Sequence, residues 1–222
     1  DTLVDEFNGV GIGAGTSLRE AIVASPSGDA INISVTGAIE LSALGELTVN
    51  KSLVINGPGA DLLTIRAYDP TPALKNGDGS RVFNIDDGND SIPNLAAITG
   101  VALTGGDVNS SGGAIYARES LTLANCTVTG NATGYSGGAV AQWSSSHLAI
   151  VGSTIAGNTS SGHGGGISKV GPGNLTIANS TISGNSANTG TGGGVYAGSF
   201  TYSAAVFGST ITGNSASSAG GI

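Results

Sequence analysis

The chain has 222 residues, 39 of them glycine, with 10% charged and 39% hydrophobic residues and a net charge of −8. Glycine at this level without a G-X-Y repeat excludes collagen, and the hydrophobic share excludes a disordered tail, so one folded domain spanning 1–222 is predicted. All 15 acidic residues lie at or before Glu119 and Lys169 is the only Lys, Arg, Asp or Glu after it, which excludes a basic nucleic-acid footprint; no apolar run reaches the ~18 residues of a membrane span.

In chain order, the first predicted element is a helix over 17–24. Ser17 is a natural N-cap, and Glu20 three residues later completes a capping box. Residues 1–30 thus read as an N-terminal strand and capping helix. From 31 to 110, short alternating runs at 31–35, 38–41, 47–49, 53–55 and 62–65 are broken by Gly, Pro and Asn, and predict brief strands in irregular coils. Asp86, Asp87 and Asp90, with Asn89 and near Asp78, offer oxygen ligands of the kind Ca²⁺ takes. Their spacing matches no specific loop, and a solvated acidic loop is the preferred reading. Arg81 and Arg118 read as charge partners on the outer face.

From 111 to 222 the chain repeats with a period of about 27 residues. One half-motif reads Val128-Thr129-Gly130-Asn131, then Ile155-Ala156-Gly157-Asn158, Ile182-Ser183-Gly184-Asn185 and Ile211-Thr212-Gly213-Asn214. The other is a glycine pair followed by a small or branched residue, as in Gly112-Gly113-Ala114-Ile115 and Gly137-Gly138-Ala139-Val140. Runs such as Leu121-Thr122-Leu123 and Leu148-Ala149-Ile150 alternate with period two. A period this short without helical spacing predicts a parallel β-solenoid of about three strands per coil. Branched residues would stack inside, glycines would turn corners, and Asn131, Asn158, Asn185 and Asn214 would form a side-chain ladder along the axis. The helix would cover the first open end. The chain stops at Gly220-Gly221-Ile222, inside a coil it does not complete. This predicts either a piece of a longer protein or end-to-end self-association, with residues 1–7 of a neighbour finishing the coil by strand addition.

The segment Thr16-Ser17-Leu18-Arg19-Glu20-Ala21-Ile22 resembles the signature of the CSLREA-type module that opens many bacterial secreted and surface β-helix proteins, with Thr16 where the family name has Cys. The stretch from Leu53-Val54-Ile55-Asn56-Gly57-Pro58-Gly59-Ala60 to Leu63-Thr64-Ile65 is similar to the coil that follows in those proteins. The later repeats resemble the G-G-A-I and F-x-x-N motifs of chlamydial polymorphic outer-membrane proteins, with Val or Ile in place of Phe. The resemblance implies a right-handed parallel β-helix of the pectin-lyase-like type and a place outside the cell or on its outer surface. It implies little about activity, because that fold hosts lyases, hydrolases, adhesins and passive stalks.

Catalytic motifs fare poorly. Gly134-Tyr135-Ser136-Gly137-Gly138 fits G-x-S-x-G and His163-Gly164-Gly165-Gly166 fits an esterase H-G-G-G, but both fall on repeat corners with no following helix and no acid downstream. Gly9-Val10-Gly11 fits only a loose dinucleotide fingerprint, without the helices of a doubly wound sheet. His147 and His163 lack metal-ligand company, the sequons follow from repeat composition, and Thr127, Thr154, Thr181 and Thr210 form too irregular a threonine face to order water. Cys126, being single, makes no internal disulfide. The sequence therefore predicts a non-enzymatic structural or adhesive β-helix protein without cofactor, meeting a surface glycan or matrix. The alternative is a polysaccharide lyase, hydrolase or carbohydrate-binding module, which would need a groove lined by Tyr116, Trp143, Tyr196 and acids before residue 120.

Overall fold

Runs of three to five alternating residues between glycines make strands too short to stand alone, so each must find its partner one coil away. The structure, a computed structural model, describes residues 2–89 and 93–222 and shows this arrangement, an all-β solenoid of about seven coils with one helix, α1 (Leu18–Ala24). The first coil holds β1 (Ala30–Asn32) and β2 (Gly37–Glu40); the second holds β3 (Leu47–Val49), β4 (Leu53–Asn56) and β5 (Leu63–Arg66). The third comprises β6 (Phe83–Ile85), β7 (Leu95–Thr99), β8 (Ala102–Thr104) and β9 (Asp107–Val108). Four regular coils follow: β10 (Ile115–Ala117), β11 (Ser120–Ala124), β12 (Thr127–Thr129) and β13 (Ala132–Thr133); β14 (Val140–Trp143), β15 (Leu148–Val151), β16 (Thr154–Ala156) and β17 (Thr159–Ser160); β18 (Ile167–Val170), β19 (Asn174–Ala178), β20 (Thr181–Ser183) and β21 (Ser186–Thr191); and β22 (Val195–Ala197), β23 (Ser203–Phe207), β24 (Thr210–Thr212) and β25 (Ser215–Ser218).

These strands form four parallel sheets, one per face, in the orders β3-β6-β10-β14-β18-β22, β1-β4-β7-β11-β15-β19-β23, β2-β5-β8-β12-β16-β20-β24 and β9-β13-β17-β21-β25. The regular coil therefore carries four strands where the repeat predicted about three. The fourth face escaped the sequence because pairs such as Ala132–Thr133 and Thr159–Ser160 are too short to show alternation. The irregular coils differ by insertion: Leu53 pairs with Ala96, whereas Leu121 pairs with Leu148 and Leu148 with Leu175. The extra chain lies between β5 and β6, where Asp69 and Asp78 are matched by Lys75 and Arg81, and between β6 and β7, where the sequence carries Asp86, Asp87 and Asp90.

The interior is a set of apolar columns. On the third face Ile39, Ile65, Leu103, Val128, Ile155, Ile182 and Ile211 lie in register, and all but Ile211 are buried. Each buried aliphatic side chain contributes about 1.5–3 kcal/mol. α1 closes the first coil with Leu18 and Ile22 buried in the same core. Its capping box is complete: the Glu20 amide donates to Ser17 Oγ at 3.2 Å, and the Ser17 amide donates to Glu20 Oε2 at 3.0 Å. The Ser17 amide, with the amides of Asn8 and Gly9, holds the Glu20 carboxyl below its ordinary range. Arg19 forks onto Asp5 at 2.8 and 3.0 Å and donates to the carbonyls of Gly45 and Glu46. Burial pushes the Asp5 carboxyl up, but Arg19 and the Ser42 donors outweigh it and hold it low. Val4 also bridges Glu40 in parallel. The N-terminal residues expected to serve a neighbour's coil are thus, from residue 2 to 5, bound within their own cap.

Two polar ladders run inside the tube. Asn131, Asn158 and Asn185 each donate from Nδ2 to Oδ1 of the next asparagine at 2.9–3.0 Å, ending on Asn214. Each Oδ1 from Asn158 onward also accepts the main-chain N–H of the asparagine one coil earlier. A second column, unseen in the sequence, runs Cys126, Ser153, Ser180, Ser209: each hydroxyl accepts the preceding member's amide at 3.0–3.1 Å. Cys126 Sγ points to the carbonyls of Ile98 and Ala124, as the serine hydroxyls point to theirs, and burial pushes the thiol pKa up. The glycine pairs explain themselves by contact. Gly137 and Gly164 have φ of 73° and 64°, and a Cβ on Gly138 or Gly165 would overlap a carbonyl oxygen of the coil above.

Replacing Asn158 by Ala strands the Val128 carbonyl and the Asn131 amide in a dry interior, and is expected to cost about 2–4 kcal/mol. The half-exposed Asn214 should cost about 1 kcal/mol or less. Cys126→Ser, placing in the column the residue its neighbours already use, should change stability by under about 1 kcal/mol. Urea denaturation of the three variants checks these values.

Candidate functional site

The first face turns its outer residues toward a cleft beside the irregular coils. Alternation in β10 and β14 sends Ile115, Ala117 and Val140 inward, and leaves Tyr116 and Trp143 partly exposed at the surface. Tyr135, on the corner between β13 and β14, supplies a third ring. With Arg81, Asn84, Asp86 and the 109–111 turn they line a cavity of about 490 Å³. Trp143 is 43% exposed and Tyr135 58%, unusual for rings of this size unless they meet something.

The polar groups in the cleft are fixed. Arg81 pairs with Glu46 at 2.7 Å, donates to the carbonyls of Ser111 and Gly112, and lies 5.5 Å from the centroid of the Tyr116 ring. Asp86 accepts the Gly88 amide through Oδ1 at 2.8 Å. Asn84 has a buried Oδ1 without a hydrogen-bond partner, an acceptor a ligand hydroxyl would satisfy.

Beneath the cleft, the interior column continues from Ala117 to Gln142 and Lys169, two polar residues on an otherwise apolar line. Gln142 Nε2 donates to the carbonyls of Glu119 and His147 at 2.8 and 2.9 Å. Lys169 Nζ donates to the carbonyls of Ser144, Gly171 and Pro172 at 3.1, 3.0 and 2.8 Å. Both side chains pin the turn that follows Trp143. Burial without a carboxylate partner pushes the Lys169 pKa down to about 8. Neither residue was singled out from the sequence as a site, although aligning the repeats puts both at an inward position.

The acidic residues gather in two places. Asp86 and Asp87 meet Glu119 with one oxygen of each within 4.8 Å; Asp90 lies outside the described residues. Asp87 accepts the Asn89 amide and the Asn94 side chain, and Glu119 accepts the Asn94 amide at 2.6 Å, so this cluster is largely a hydrogen-bonded turn. Burial, together with the neighbouring Asp87, pushes the Glu119 carboxyl up. The second cluster, Asp69, Asp78 and Asp107, was missed because Asp107 comes from β9, far along the chain.

The remaining sequence motifs take structural places. Tyr196 lies away from the cleft and stacks on His163 at 4.5 Å. Nδ1 of His163 and of His147 each accepts a main-chain N–H from the next coil, from Thr191 and Asn174. Ser136 is buried, its hydroxyl accepting the His163 amide rather than meeting the imidazole as a nucleophile would. Thr127, Thr154, Thr181 and Thr210 stack in register on the third face, beside Thr129, Ala156, Ser183 and Thr212. No helix among the described residues is long and apolar enough to cross a membrane. No family model matches the chain, and no curated protein or solved structure gives a match.

Lys169 gives the stability a pH dependence of defined sign. Below about pH 8 both folded and unfolded states carry the charge, and the folded state bears its full burial cost. Between about 8 and the ordinary value of 10.5 only the unfolded state stays protonated, so stability rises with pH across that window and then levels. Denaturation midpoints measured across the window should climb for the native chain, and Lys169→Met should remove that part of the slope.

Proposed function

We propose that this chain is a non-enzymatic structural and adhesive β-solenoid of the cell exterior that holds a neutral glycan in the cleft of Tyr116, Tyr135 and Trp143. The carrying observation is the cleft itself: aromatic faces suited to the C–H faces of sugar rings, beside rigid Arg81 and Asp86 and the unpartnered Asn84 oxygen that suit hydroxyls. A glycosidase needs two carboxyl groups facing each other across the bond, about 5–9.5 Å apart. Among the described residues, Asp86 is the one acid lining this cleft. Retention without cleavage is the chemistry this set of groups supports. The net charge of −8 disfavours polyanionic chains at long range, which selects neutral glycans.

The extracellular setting rests on the resemblance of residues 16–22 to the CSLREA-type module and of the G-G-A-I repeats to surface β-helix proteins. The helix gives that resemblance a physical content, since Ser17, Leu18, Arg19, Glu20 and Ile22 each have a role in the cap. A polysaccharide-degrading enzyme is the second reading.

Affinity electrophoresis in gels containing neutral polysaccharides should retard the native chain. Trp143→Ala should weaken that retardation at least about tenfold, as loss of a ring of this size from a binding surface does. Unretarded native protein, or a Trp143→Ala variant retarded as strongly, overturns the reading; release of new reducing ends establishes the enzyme instead.

A further inference from the structure

Loop 67–82, the insertion between β5 and β6, returns to the solenoid beside β9. Asp78 makes an antiparallel bridge to Val108, which sets it next to Asp107, and Asp69 stands at the head of the same loop. One carboxylate oxygen from each of the three lies within 4.8 Å of the others. Asp107 is 2% exposed and the Asp69 side chain 4%. Three anions this close repel one another, and burying two of their side chains is costly unless a positive charge is placed among them.

Most of their oxygens have donors. Asp107 Oδ2 accepts the amides of Asn76 and Gly77 at 3.0 Å each; Asp69 Oδ1 accepts the Thr71 amide at 2.8 Å; Asp78 accepts from Thr71 Oγ1 and Asn76 Nδ2. Asp69 Oδ2, by contrast, is buried and without any hydrogen bond. Its nearest cation is Lys75 Nζ at 3.6 Å, too long for a hydrogen bond and carried on a side chain 42% exposed. A buried carboxylate oxygen without a hydrogen bond, facing an exposed lysine, is what distinguishes this cluster from that of Asp86, Asp87 and Glu119.

We propose that Asp69, Asp78 and Asp107 bind Ca²⁺, which displaces the Lys75 ammonium and clips loop 67–82 onto β9. The donor set is all oxygen, which selects a hard cation over zinc or copper. The ligands come from a loop and a sheet edge, an irregular array that suits Ca²⁺ with its six to eight oxygens better than Mg²⁺, main-chain carbonyls and water completing the shell. Asp107 is two residues before Asn109, which lines both the aromatic cleft and the groove beside this loop. The clip would therefore steady one wall of the cleft, though the site does not depend on any glycan being bound.

Calorimetric titration of the chelator-treated full chain with CaCl₂ tests this, alongside Tb³⁺ luminescence excited through Tyr68, the neighbour of Asp69. Saturable binding near or below about 1 mM is expected, with a rise in melting temperature. Asp78→Asn keeps an acceptor for Thr71 and lies on an exposed residue, so it should fold as the native chain does, which far-ultraviolet circular dichroism verifies. It should weaken binding at least tenfold. Lys75→Gln, removing the competing charge, should tighten binding several-fold, and Asp87→Asn should leave it unchanged. The proposal is overturned by the absence of saturable binding at about 10 mM Ca²⁺, by undiminished binding in folded Asp78→Asn, or by loss of binding in Asp87→Asn.

Discussion

Everything in this molecule depends on main-chain pairing between a coil and the coil stacked on it. Parallel pairing needs identical spacing on all four faces at once, so the corners must pass close together and the side chains inside must accept a copy of themselves above and below. The glycine pairs meet the first demand, since a Cβ at Gly138 or Gly165 would overlap a carbonyl of the neighbouring coil. The aliphatic columns and the asparagine and serine ladders meet the second. In these two ladders polar groups are admitted to the interior because the repeat supplies each with the next one's oxygen, whereas Gln142 and Lys169 are held by main-chain carbonyls. Asn158 and Ser180 are buried for this reason at little cost.

Function on such a scaffold needs departures from repetition, and the departures cluster. The two insertions of the early coils supply two residues to each acidic cluster, Asp69 and Asp78 in one and Asp86 and Asp87 in the other, which Asp107 and Glu119 complete. The aromatic cleft sits where the third coil, with Arg81, Asn84 and Asp86, meets the first regular ones, with Tyr116, Tyr135 and Trp143. Lys169 and Gln142 break an apolar column directly beneath, and both hold the turn after Trp143 in place. The regular coils from β18 onward lack carboxylates altogether, and their surface offers mainly hydroxyls, amides and scattered rings.

Much of the fold was legible because repetition amplifies weak signals. A single Ile-x-Gly-Asn is uninformative; four at near-constant spacing fix a coil, a buried column and a ladder position. Capping chemistry was legible for a different reason, as Ser17 and Glu20 interact within one turn. What stayed hidden depends on contacts between coils that no local pattern encodes: the two-residue strands of the fourth face, the place of Cys126 in a serine column, and the meeting of Asp107 with Asp69 and Asp78. The cleft was half legible. Tyr116 and Trp143 were named from the chain, Tyr196 proved to pack on His163, and Tyr135 had been absorbed into a motif that the corner geometry explains.

The asparagine ladder has one further consequence. Because each rung bonds to an identical rung and to main-chain groups that every coil repeats, nothing in a middle coil records how many coils lie beyond it. Duplicating or deleting a whole 27-residue unit such as 132–158 would renew every hydrogen bond of the ladder with an equivalent partner, while a residue added or removed inside a strand would slip the pairing of that face. The molecule is therefore built to vary in axial length by whole steps of about 4.8 Å.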